Sequence, residues 1–239
     1  MKWVKDKSGR FSQRPHYLPG EIDDECERVV REFLTKRYGK VEFPIKTDDL
    51  TVLIEQKADF DSYADLSGEP GEVEGVTEFT PHKRPVVRIS DALSAPNMEN
   101  RLRTTLTHEF GHVHFHQFMF DDVQNQPASL FPTQSQSHTN KCHRDNMIAA
   151  PERDWMEWQA GYACGAILMP ASALLDTATR FREEKQIPYA NLAVSSEHGQ
   201  QLILLVTSTF QTSREAARVR LLKRGILADG EGNRTSDLF

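Results

Sequence analysis

The sequence predicts an α+β fold, mainly helical, with a small β-sheet set beside one central helix. Three observations predict it. Apolar residues recur at helical spacing over several long stretches. Two short β-like runs, Gly75–Thr80 and Pro85–Ser90, lie close together, joined by PHKR. The most regular helical pattern, from Met98 to Met119, follows them directly. With 239 residues the chain suits one domain and is long enough to bury a core.

Taken in order, residues 1–18 read as a flexible basic arm. Ile22, Cys26, Val29, Val30, Phe33 and Leu34 then recur at helical spacing, so a helix is expected from Glu21 to Tyr38, with Gly39 as its stop. A short helix is expected over Thr47–Gln56. Residues 59–75, rich in Asp, Gly, Glu and Pro, read as loop. Val86, Val87 and Ile89 are β-branched, as strands favour, so the two runs at 75–90 read as a hairpin.

In the helix that follows, Asn97 is a candidate N-cap, and Leu102, Leu106, Phe110 and Val113 line one face. Residues 120–153 carry no periodicity and much Asn, Gln, Ser and Pro. They read as a polar lid or insertion. A further helix is expected over Asp154–Leu168, ended by Pro170. Others follow around 171–184, 197–210 and 213–224, with Gly225 as a C-terminal cap. The stretch 228–239 reads as a polar tail.

Composition excludes several classes. Charged residues make up 27% of the chain, and its longest apolar run, Leu202–Val206, is far too short to span a membrane. The opening MKWVKDKSGRFSQRP has charge but no apolar core behind it, so it is not a secretory signal. Cys26, Cys142 and Cys164 lie far apart and are odd in number. No disulfide framework is expected, and a reducing cytoplasm is. A net charge of −6 argues against broad binding to nucleic acid, which depends on neutralising phosphates. Arg214, Arg218, Arg220, Lys223 and Arg224 are better read as a solvated helix face than as a DNA contact.

The chemistry is carried by HEFGH at 108–112, an H-E-x-x-H motif. Histidines one helical turn apart share a face, so His108 and His112 can reach one zinc ion. Glu109 is turned about 100° from His108. It stands beside the ion rather than on it, where a carboxylate can take a proton from water that zinc acidifies. Gly111 leaves room for a neighbouring element to approach closely.

A catalytic zinc needs a third protein ligand. His116 extends the series, but each four-residue step turns the helix by about 40°, so three successive histidines splay apart. Glu157, in DWMEWQAGYACGAILMP, sits in the first turn of the next helix. That helix is thin at Ala160, Gly161, Cys164 and Gly165. Spacing alone leaves Glu152, Asp154 and His143 open beside Glu157.

These motifs resemble the ImmA/IrrE family of zinc metallopeptidases. NMENRLRTTLTHEFGHVHFH at 97–116 is similar to that family's metal-binding helix, and EWQAGYACGAILMP at 157–170 to the helix that follows it. GVTEFTPHKRPVVRIS and TFQTSREAARVRLLKRGIL are weaker matches in the expected places. Gly161 stands where the family usually has Asn, and residues 117–153 are longer than expected.

The resemblance implies a zincin-like metallopeptidase domain over 19–227. It implies His108, His112 and Glu157 as zinc ligands and Glu109 as the base. It also implies a helix-turn-helix repressor as protein substrate, cut to relieve repression. A substrate held by backbone pairing would lie along an edge strand at Val86, Val87, Arg88 and Ile89. A binding protein that uses zinc only to hold its fold is the alternative, though a binder has no need of Glu109. Tyr162 or His143 could steady an oxyanion, and His138, Cys142 and His143 form a further H-x3-C-H cluster.

Overall fold

A computed structural model describes residues 1–69, 71–121, 138–143, 154–188 and 192–229, and for 138–143 chiefly the backbone. Its first long element, α1 (Pro19–Tyr38), starts two residues earlier than periodicity predicts, because Pro19 already has the backbone angle a helix start requires. It ends where expected. Gly39 adopts a left-handed φ of 71° and donates its N–H to Thr35 O at 2.8 Å. The apolar stripe of α1 is buried, together with Asp23. The short helix α2 (Thr47–Glu55) follows.

One four-stranded sheet lies beside the helices. It contains β3 (Asp59–Ala64), β4 (Val73–Phe79), β5 (Val86–Ser90) and β6 (His138–His143) in the order β3-β5-β4-β6. The expected hairpin exists: β4 and β5 pair antiparallel, with Thr77 opposite Val87. The expected loop at 59–75 instead contains β3, which pairs parallel with β5. Its burial alternates along the strand, which a polar composition concealed.

This topology corrects the reading of Val86, Val87, Arg88 and Ile89 as an edge that receives substrate. Their strand has a neighbour on both sides. Val87 and Ile89 are fully buried in the main core, and Arg88 pairs with Glu78 at 2.9 Å. The sheet's outer strands are β3 and β6.

The helix α3 (Glu99–Asp121) packs against β4, β5 and β6 of this sheet, preceded by 3-10 turns at Asp91–Ser94 and Pro96–Met98, so Asn97 lies in a turn and not at a simple cap. Next come α4 (Trp155–Leu168), α5 (Ala171–Glu184), α6 (Glu197–Phe210) and α7 (Arg214–Lys223), close to the expected bounds. Gly111 does what its size suggests. A Cβ there would stand 3.1 Å from Ala160 Cα, so α3 and α4 pack backbone to backbone at that point.

Residues 1–18 are not a loose arm. Lys2–Lys5 (β1) and Gln13–His16 (β2) form an antiparallel hairpin. The Asp6 carboxylate closes its loop, accepting from Ser8 N at 2.9 Å and Phe11 N at 3.0 Å. Phe11 is buried in a cluster with Phe79, Met119, Phe120, Trp155 and Met156. A last small pair joins β7 (Leu192–Ala193) to β8 (Leu227–Ala228). Most of the lid expected at 120–153, and the tail beyond Asp229, lie outside the described residues. Among the described residues no helix is long and apolar enough to cross a membrane.

Candidate metal centre

His108 and His112 sit one turn apart on α3, and Glu157 sits in the first turn of α4. The close approach at Gly111 brings the two helices together at that level. The geometry converges. His108 Nε2 lies 3.0 Å from His112 Nε2 and 3.2 Å from Glu157 Oε2. His112 Nε2 lies 3.2 Å from Glu157 Oε1. Ligand atoms at zinc–nitrogen distance from one ion, at tetrahedral angles, stand about 3.3 Å apart. The three side chains therefore form a buried group that could hold a metal ion.

The electrostatics agree. Burial alone would raise the Glu157 pKa, yet the His112 and His108 imidazoles beside it hold the carboxyl well below its ordinary range. An ionised carboxylate facing two imidazole nitrogens is a ready donor set for a divalent cation.

Of the other residues weighed as third ligand, Asp154 is turned to Arg10 at 3.4 Å. His116 faces away: its Nδ1 meets His112 Nδ1 at 3.2 Å, on the side of that ring opposite the site. Glu152 lies outside the described residues, as do the side chains of His138, Cys142 and His143.

Glu109 is not part of the ligand group. It is fully buried under β4. Thr77 donates its hydroxyl to Glu109 Oε2, and Glu109 Oε1 has no hydrogen-bond partner among the described residues. Burial raises its pKa, against the lowering influence of His112 and His108. Gly75, next but one to Thr77, leaves the space that the Glu109 carboxylate fills.

Comparison with known proteins finds no matching family model and no matching relative among curated sequences.

Two further expectations are corrected. Tyr162 is not available to it, because the phenol donates to Asp23 Oδ2 at 2.9 Å. The basic helix is not a uniformly solvated face either. Arg220 is only 2% exposed and donates to Asp23 Oδ1 at 2.6 Å and to Met169 O at 3.2 Å. Arg224 donates to Asp23 Oδ2 at 2.6 Å, and Arg218 is paired with Glu215.

Sequence reasoning missed Gly75, Thr77 and Gln159. The signal for Gly75 was present: an isolated glycine inside a β-branched run marks a close approach by another element. Cys26 and Cys164 are free and buried, and burial pushes the Cys164 thiol up to about 11.

Proposed function

We propose that this chain is a zinc-dependent endopeptidase of the zincin-like, ImmA/IrrE kind. In this reading it acts in the cytoplasm on a helix-turn-helix repressor and lifts repression of phage, mobile-element or stress genes by cutting it. His108, His112 and Glu157 hold the zinc, and Glu109 is the base. The donor set of two imidazoles and one carboxylate fits zinc and leaves a fourth position for chemistry. Bound there, zinc would supply Lewis acidity and make water acidic enough to deprotonate near neutral pH.

The observation that carries the reading is Glu109. A metal that only held the fold would need no second carboxylate beside it. Here one is buried a single residue from a ligand, aligned by Thr77 and raised in pKa by burial. A carboxyl tuned upward can take a proton and return it to a leaving amine. The repressor as substrate is supported by the motif resemblance alone.

One observation favours the second reading, a partner-binding protein with a structural metal. His108, Glu109 and His112 have no exposed surface and Glu157 is 8% exposed, whereas catalytic zinc keeps an open position. Glu109→Gln separates the two. Each form is co-expressed with the repressor encoded nearest its gene. The peptidase reading expects a shortened repressor with wild type and a loss on the order of 10²-fold or more in the variant, with partner binding kept. Equal derepression by both forms, with no fragment, would establish the binding protein instead.

A further inference from the structure

We propose that His116 and Gln159 form a one-directional hydrogen-bond chain that fixes the metal-facing tautomer of His112 and ties it to the amino-terminal hairpin. Both are positioning residues for the metal centre, and the inference rests on the metal reading above.

The direction of the chain follows from its far end. Pro15, in β2, can offer only its carbonyl oxygen. Gln159 lies on α4 and is 1% exposed, and its Nε2 is 3.0 Å from Pro15 O. The amide must therefore turn its NH2 to Pro15 and its oxygen the other way. That oxygen lies 3.1 Å from His116 Nε2, which must carry the proton. His116 Nδ1 is then the acceptor, and it lies 3.2 Å from His112 Nδ1. His112 must hold a proton on Nδ1, so Nε2, beside His108 and Glu157, is the nitrogen that gives up its proton to bind an ion. With His116 neutral, reversing any link would set two donors or two acceptors face to face. With His112 and His116 fully buried, water cannot repair such a clash.

The consequence is chemical. The other tautomer of His112 would place a proton on the nitrogen that has to bind the ion. A partner at the second ring nitrogen also orients the ring and raises ligand basicity. The amino-terminal hairpin, remote in sequence, becomes part of the metal site.

The test measures zinc affinity of the full chain by chelator competition, and the visible spectrum of the cobalt(II) form. His116→Phe keeps a ring but removes the acceptor; Gln159→Leu frees His116 to take the wrong tautomer. Each is expected to lose about 10- to 100-fold in zinc affinity and to alter the cobalt spectrum. Gln159→Glu, its carboxyl kept protonated by burial, still donates to Pro15 O and accepts from His116 and is expected to stay near wild type, a rescue that packing alone would not produce. The Gln159 pair decides the matter where His116→Phe fails to fold. Wild-type affinity in Gln159→Leu, or a loss in Gln159→Glu equal to that in Gln159→Leu, would overturn the chain. Zinc binding that survives His112→Ala would overturn the metal reading itself, and the chain with it.

Discussion

A Cβ on Gly75 would stand 2.5 Å from Glu109 Oε1, so the carboxylate occupies space that any other residue at 75 would need. The strand and the helix are fitted to each other at this point. Thr77 supplies the hydrogen bond, and Phe79, two residues further along β4, stacks on Phe120 of α3 with ring centroids 4.3 Å apart.

Gly75→Ala should therefore displace Glu109 while leaving the three ligands in place. A displacement of about 1 Å at a catalytic group costs on the order of 10²-fold in rate. Cleavage of a repressor substrate, measured beside zinc content, checks this. Wild-type cleavage by a folded Gly75→Ala protein would mean that Glu109 does not act from the position seen here.

Asp23 gathers Arg220, Arg224 and Tyr162 in a buried cluster between α1, α4 and α7. Asp23→Ala would leave the Arg220 guanidinium buried without its counter-charge, a defect that costs about 3–5 kcal/mol. Arg224→Ala should cost much less, since that side chain is 33% exposed. Urea midpoints of the two variants provide the comparison, and similar small losses in both would contradict it.

Asp6 gives a pH dependence whose sign can be worked out. Burial would raise its pKa, but the hydrogen bonds from Ser8 and Phe11 outweigh that and leave it below the ordinary 3.8. A depressed carboxyl stabilises the fold above the unfolded value and loses that contribution as pH falls through the folded one. Asp6→Asn should thus cost about 1–3 kcal/mol at neutral pH. The gap to wild type should close as pH drops below 3.8. Denaturant titrations at several pH values test this, and a gap independent of pH would refute it.

The parts of this structure legible in the sequence are those where local chemistry and tertiary packing agree. Gly39 stops α1 because glycine alone adopts its backbone angle without strain. HEFGH falls on a helix because its flanking apolar residues keep the helical period. Gly111 marks a close helix contact because no side chain would fit. What escaped depends on distant partners. β3 contains two aspartates and a serine, poor strand formers, and exists because β5 offers it an edge. Arg220 has the same sequence surroundings as its exposed neighbours, and only the position of Asp23, far away in the chain, buries it. β5 reads as an edge in the sequence because nothing local reveals β3 on its outer side. Gln159 reads as an ordinary helical residue until Pro15 is folded against it.

The central claim is that His108, His112 and Glu157 hold one zinc while Glu109 stands beside it without binding it. Zinc content per chain in purified wild type, Glu109→Gln and Glu157→Ala tests this without knowledge of any substrate. The account predicts one zinc per chain in wild type and in Glu109→Gln, and a large loss in Glu157→Ala. Full zinc in Glu157→Ala, or loss of zinc in Glu109→Gln, would contradict it.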